Sequence, residues 1–254
     1  MYSTKRVCGI MINIKILKKK DLKGYTLIEG FPGLGLVGPM AISYIIDKLG
    51  MEYTGYLESD DFPPLISIHH KTPMPPIRVY VNDKYKIVTI FAEFAMPMEL
   101  IYPLSNSVYK FVKDNGIAKI FSMGGIPKLD GKDIVYVMAS TPELVKSLEK
   151  SGFKPIEEGV ATGISALLLT DSTQDKLPDV SLLVPIIQNI IDPKYAELAI
   201  KSLNTLLHLD IDTTELEKEA RLVEAKIQEL IKKHTESHEN YKQAITDSGP
   251  SMYA

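Results

Sequence analysis

Four glycines fall within nine positions in the string Glu29-Gly30-Phe-Pro32-Gly33-Leu-Gly35-Leu-Val-Gly38. Within it, Gly33-Leu-Gly35-Leu-Val-Gly38 matches GxGxxG, and Glu58 stands twenty residues after Gly38. That spacing suits a dinucleotide fingerprint, in which backbone N–H groups at a helix start hold a pyrophosphate and an acid reaches the ribose. The same glycines equally suit a tight strand-to-helix turn that lets a helix lie close against a sheet. By pattern alone the nucleotide-enzyme reading and the packing reading stand level.

Other residue types with chemical potential are sparse. Ser165, in Gly163-Ile-Ser165-Ala, lacks the second glycine of a GxSxG nucleophile elbow. His69 and His70 are adjacent, so on a strand they point to opposite faces and do not chelate together. His234 and His238 are one helical turn apart, but the intervening Thr-Glu-Ser is not the HExxH order, and no metal site is expected. Glu58-Ser-Asp60-Asp61 offers carboxylates for a cation or for acid–base work, and reads better as a polar turn before Phe62-Pro63-Pro64. No catalytic residue, metal or cofactor is therefore assigned.

The elements that carry these residues alternate. Tyr25 to Glu29 reads as a short buried strand, and Pro39 suits the first turn of the helix after the glycines. Met40, Tyr44, Ile45 and Leu49 recur at helical spacing and give that helix one apolar face. Ile12–Leu17, Tyr53–Glu58, Leu65–His69, Ile77–Val81, Lys86–Phe91, Ala118–Met123, Ile134–Ala139 and Val180–Ile186 read as strands, with Ile77–Val81 and Lys86–Phe91 as a hairpin. The strand from Ala118 is expected to end at Gly124-Gly125. Glu99–Asn115 reads as a helix stopped by Gly116, and a second starts at Ser140-Thr-Pro-Glu143. Ile164–Leu169 is strand or buried helix by periodicity, with helix favoured, followed by a polar loop over Thr170–Pro178. Asp192-Pro193 opens a helix to about Leu207. The sum is an α/β fold, a mainly parallel central sheet covered by helices on both faces.

Three regions are expected: an α/β body over 1–208, a helical arm over 209–246 and a flexible tail over 247–254. In the arm, Leu216, Ala220, Val223, Ile227 and Leu230 keep spacings of four and three, a heptad seam that weakens beyond Leu230. The bland reading is an amphipathic helix docked on its own body. The sharper one is a protruding arm that packs against neighbouring subunits.

Composition bounds the partners. Hydrophobic residues make up 45% and charged residues 24%, ordinary for a globular chain. A formal net charge of -3, with no aromatic–basic interleaving, gives no reason to expect nucleic acid or an anionic membrane surface. No apolar run reaches the roughly 20 residues that span a bilayer. The single cysteine, Cys8, forms no internal disulfide and fits a reducing cytoplasm. Met11 is an alternative start.

The longer glycine string, Glu29 to Gly38, resembles the N-terminal signature of the proteasome assembly chaperone family, the eukaryotic second assembly chaperone and its archaeal relatives. Asp60-Asp61-Phe62-Pro63-Pro64, Ile120-Phe-Ser-Met-Gly124-Gly125-Ile-Pro127 and Thr162-Gly-Ile-Ser165-Ala-Leu-Leu168 agree in order, so the likeness runs from Tyr25 to about His208. It implies a non-enzymatic α/β fold in which Gly30, Pro32, Gly33, Gly35 and Gly38 form a structural turn. It also implies a homo-oligomer of four or five subunits.

The chain ends in Met252-Tyr253-Ala254 after a Ser248–Ser251 linker. This resembles the hydrophobic–tyrosine–any-residue tail by which proteasome activators and some assembly chaperones dock between α-subunits of the 20S core. An apolar anchor, a ring with a hydroxyl and a terminal carboxylate suit such a pocket. The expectation is thus a factor that binds the 20S core through Met252, Tyr253 and Ala254, with the nucleotide enzyme using Glu58 as the alternative.

Overall fold

The computed structural model describes residues 9–69, 71–128, 133–188 and 190–216. Its strands are Asn13–Ile16 (β1), Thr26–Gly30 (β2), Glu52–Glu58 (β3), Ser67–His69 (β4), Thr72–Met74 (β5), Ile77–Asn82 (β6), Ile87–Ala92 (β7), Lys119–Pro127 (β8), Tyr136–Ala139 (β9), Lys154–Pro155 (β10) and Asp179–Ile186 (β11). Its helices are Val37–Lys48 (α1), Met98–Asp114 (α2), Pro142–Lys150 (α3), Ile164–Asp175 (α4) and Pro193–Leu207 (α5).

Nine strands form one sheet in the order β1-β3-β6-β7-β2-β8-β11-β9-β10, with β2 at its centre. The four central strands β7, β2, β8 and β11 are parallel. Both flanks bring in antiparallel neighbours, through β6 and β3 on one side and β9 on the other. The sheet is mixed, parallel where helical crossovers join its strands and antiparallel where the β6–β7 hairpin turns. Asn82 caps that hairpin by accepting the Tyr85 N–H at 3.0 Å. Strand β7 is buried along its whole length, as its unbroken Ile-Val-Thr-Ile-Phe-Ala run requires of a strand covered on both faces.

One face is covered by α1 and α5, around Ile28, Met40, Ile45, Phe121 and Val184. The other is covered by α2 and α4, around Leu27, Ile90, Leu104, Val108 and Leu168. Helix α1 is buried on more than the one face that its spacing implies, because Ala41, Ile42 and Ile46 are also enclosed where the helix packs on both the sheet and α5 beside it.

Two boundaries differ from the sequence reading. Thr170–Pro178 is not a loop throughout, since α4 continues to Asp175. The hydroxyls of Thr170 and Thr173 return to the carbonyls of Ala166 and Leu169, so these polar residues sit within a helical ladder. Strand β8 does not stop at Gly124-Gly125 but runs to Pro127, paired with β11 throughout. Gly125 is the place where the Leu34 carbonyl comes against the strand, closer than a Cβ would tolerate.

Packing against the body continues past His208. Leu209, Ile211 and Leu216 are buried, the Tyr44 hydroxyl donates to the Asp212 carbonyl at 2.7 Å, and Lys48 pairs with Glu215 at 2.6 Å. The remainder of the arm and the tail lie outside the described residues.

Candidate functional site

The glycine turn leaves the carboxyl end of β2. Gly30 and Gly38 press against each other: a Cβ on Gly30 would lie 2.7 Å from the Gly38 carbonyl oxygen, and one on Gly38 would lie 2.8 Å from Gly30 Cα and 2.9 Å from the Met123 oxygen. Helix α1 thereby starts in direct backbone contact with the sheet. Gly35 takes φ +69 with Ile186 and Tyr195 beside it, and Leu36 follows at φ +51. Gly33 has extended backbone and open space where a Cβ would go, and Pro32 is half-buried next to it. The space around Gly30, Gly35 and Gly38 is filled by this chain's own atoms.

Glu58 is not beside that turn. It ends β3, which is separated from β2 by β6 and β7, so three strand spacings of about 4.8 Å put it roughly 14 Å away across the sheet. Its carboxylate pairs with Lys15 at 3.0 Å on the neighbouring edge strand. The acid at a ribose, as the nucleotide reading places it, is not formed by Glu58.

Between the sheet and α4 lies a buried polar seam. Glu29, fully buried, accepts a hydrogen bond from the Ser165 hydroxyl at 2.5 Å and one from the Phe31 N–H at 3.1 Å. Burial pushes its carboxyl above the usual range, and the hydrogen bonds from Ser165, Ser122 and Phe31 offset part of that rise. Asp179, at the start of β11, is equally buried, and burial raises it to about 8, with the Glu29 carboxyl adding to the rise against Ser172. Its own N–H donates to Ser140 Oγ at 3.0 Å. Ser165 is thus bound to a carboxyl as a donor, and among the described residues no histidine hydrogen-bonds to it.

A second buried polar group stands under the β4–β5 hairpin. Arg78, fully buried, places Nη2 2.9 Å from Glu93 Oε1, and His69 Nε2 approaches the same oxygen at 2.9 Å. The guanidinium also lies 5.1 Å from the centre of the Phe91 ring, a cation–π contact. Burial acts to raise Glu93, but the His69 hydrogen bond and the Arg78 charge outweigh it and hold the carboxyl at about 2. The sequence reading passed over Glu29, Arg78, Glu93 and Asp179. The available signal was charge inside apolar strands, as in Ile77-Arg78-Val79 and Leu27-Ile28-Glu29.

The hairpin also walls a surface groove of about 370 Å³, lined by Tyr56, Phe62, Pro63, Pro64, Met74 and Pro75 among others. Large apolar side chains are exposed beyond the carboxyl ends of several strands: Leu34 after β2, Ile66 and Ile68 after β3, Met98 after β7, and Ile187 and Ile190 after β11. Among the described residues no group of three or more His, Cys, Asp or Glu could hold a metal ion. No described helix is long and apolar enough to cross a membrane. Met252, Tyr253, Ala254, His234 and His238 lie outside the described residues.

The fold and the glycine-packed helix start define an α/β protein with a large mixed sheet flanked by helices. Residues 27–231 match the model of the PAC2 family, and the chain belongs to that family. It is 30% identical over 217 residues to an uncharacterized protein of Methanocaldococcus jannaschii, covering 85% of this chain and 89% of that one. Among solved structures it is similar to PbaA of Pyrococcus furiosus, an archaeal homolog of proteasome-assembly chaperone, with TM-score 0.78 and 27% identity over 91% of this chain and 99% of that one. It shares its fold with PbaB of Pyrococcus furiosus, an archaeal proteasome activator, with TM-score 0.71 and 22% identity over 87% of this chain and 98% of that one.

Proposed function

We propose that this chain is a non-enzymatic proteasome-binding factor, an assembly chaperone or activator that docks C-terminal tails onto the α-ring of the 20S core. The observation that carries the reading is the likeness to PbaA, at 27% identity over 91% of the chain. In this reading the tail residues Met252, Tyr253 and the Ala254 carboxylate make the contact, and the Ser248–Ser251 linker gives them reach. A body of four or five copies supplies several tails at once, so weak single contacts gain avidity without new chemistry. The glycine turn then serves packing, consistent with the Gly30–Gly38 contact and with Glu58 standing three strands away.

The test is capture of purified 20S core by the intact chain and by one lacking Met252–Ala254, with sedimentation of each to count subunits. Loss of capture with unchanged assembly supports tail docking. Equal capture by both chains overturns it.

A further inference from the structure

The groove beside the β4–β5 hairpin joins an apolar wall to a one-sided hydrogen-bonding capacity. Pro63, Pro64, Pro73, Pro75 and Pro76 line it, together with the aromatics Tyr56 and Phe62. A proline has no N–H, so this wall offers backbone carbonyls with few donors among them. Among the described residues that line it there is no Lys, Arg, His, Asn or Gln, and the side-chain donors are the Tyr56 and Ser59 hydroxyls. What the lining does carry is an acid, Glu58. Asp60 and Asp61 directly follow the lining residue Ser59, and both are exposed. Lys15 pairs with Glu58 at 3.0 Å, whereas no described cation pairs with Asp60 or Asp61.

The apolar surface is longer than the groove. Ile66, which lines it, is 60% exposed, and Ile68 is 55% exposed with the buried Ser67 between them. In an extended segment residues two apart share a face, so Ile66 and Ile68 carry the apolar strip onto the outer side of the hairpin. A small molecule that filled the 370 Å³ groove would leave that strip in water, whereas an extended peptide covers both. Complementarity then selects the composition of the peptide. Apolar side chains suit the proline wall and the strip, and cationic donors suit the carbonyls and the acids. Arginine supplies the second need best: its planar head has five N–H donors, stacks on aromatic faces and sits on a stem that packs on apolar surface. Lysine brings fewer donors and a more strongly hydrated charge.

We propose that this groove binds an extended segment of a partner protein in which arginine alternates with apolar residues. Its arginines meet Asp60, Asp61 and the aromatic lining, and its apolar side chains lie on the proline wall and on Ile66 and Ile68. The contact uses none of the tail residues, so it is independent of the docking proposed above. Surface charge pairs are individually weak and screened, so the binding is salt-sensitive.

Fluorescence polarisation with the full chain and a labelled, end-capped peptide of alternating leucine and arginine tests this directly. The expected result is saturable binding that Asp60→Lys/Asp61→Lys and Ile66→Glu each weaken roughly tenfold, with unchanged thermal midpoints. Glu157→Lys/Glu158→Lys makes the same charge change at an exposed pair beyond β10, the edge strand farthest from β1, and should bind like the unaltered chain. On the unaltered chain, a peptide with glutamate in place of arginine should not bind, a control that needs no protein variant. Equal loss in the two double-lysine variants would reduce the effect to net charge and overturn the proposal. Displacement of the peptide by an equal concentration of spermidine would also overturn it, by assigning the groove to a small polyamine. A chain lacking Met252–Ala254 should bind the peptide undiminished, so failure of tail docking and failure of this contact are read separately.

Discussion

Ser165, at the start of α4, donates a 2.5 Å hydrogen bond to Glu29, at the end of β2, across 136 residues of sequence. The bond ties the strand that leads into the glycine turn to the helix on the opposite face from α1. With the Phe31 N–H on the other carboxyl oxygen, Glu29 has both oxygens engaged inside a core that excludes water. Ser165→Ala leaves one of those oxygens without its donor. Unpaired buried polar groups cost about 1–3 kcal/mol, so the urea midpoint should fall by that equivalent. An unchanged midpoint would deny the bond any structural weight.

Asp179 gives the protein an alkaline liability. Burial raises its carboxyl to about 8 in the fold, against an unfolded value near 3.9. The raised value means that the folded state holds a proton the unfolded state releases. The contribution is therefore whole below about pH 4, and it declines as pH rises through 8. Equilibrium unfolding between pH 5 and 9 should show falling stability, and Asp179→Asn should flatten the slope. A profile identical to that of the unaltered protein would show that Asp179 does not titrate in this range.

Glu93 works in the opposite sense. Its carboxyl is held at about 2, below the unfolded value of about 4.3, by His69 and Arg78 against the burial that acts to raise it. Its contribution is present above pH 4 and is lost as pH falls toward 2. Among the described residues Glu93 is the counter-charge beside the buried Arg78 guanidinium; Glu93→Gln removes it, and stranding one partner of such a pair typically costs about 3–5 kcal/mol. Thermal unfolding at pH 7 should show a large drop. Arg78→Met/Glu93→Gln should recover part of it, because the stranded charge is then gone.

How far the sequence carries these conclusions depends on whether a residue acts locally or across the sheet. Turn and cap chemistry is local: Asp192-Pro193 opens α5 and Gly116 stops α2 as their types dictate. The β6–β7 hairpin follows from Asn82 and its neighbours. By contrast, the separation of Glu58 from the glycine turn depends on β6 and β7 inserting between β3 and β2, which no spacing along the chain reveals. The Glu29–Ser165 and Arg78–Glu93 pairs are likewise products of register. Each partner looks isolated in sequence, and only a charge inside an apolar strand marks it. The polar outer face of α4 concealed its last two turns, since Thr170 and Thr173 have side chains that also favour loops.

The glycine turn allows packing to be separated from ligand binding by choosing where a methyl is added. At Gly38 a Cβ would meet Gly30 Cα at 2.8 Å and the Met123 carbonyl oxygen at 2.9 Å, all backbone atoms that move only if α1 lifts from the sheet. Gly38→Ala should therefore lower the unfolding midpoint by several kcal/mol equivalent, in the range of strongly overpacked cores. At Gly33 the backbone is extended and no atom lies within 4 Å of the added carbon, so Gly33→Ala should be silent in stability. Gly35 is a poor probe, because at φ +69 a branched residue such as valine is strained whatever the turn does. The informative comparison is Gly33→Ala in both unfolding and 20S capture. If the turn serves packing alone, this variant folds and captures core like the unaltered chain. Loss of capture in a stable Gly33→Ala protein would mean that the open side of the turn touches the partner, and the turn would then have to be counted as a binding element as well as a packing one.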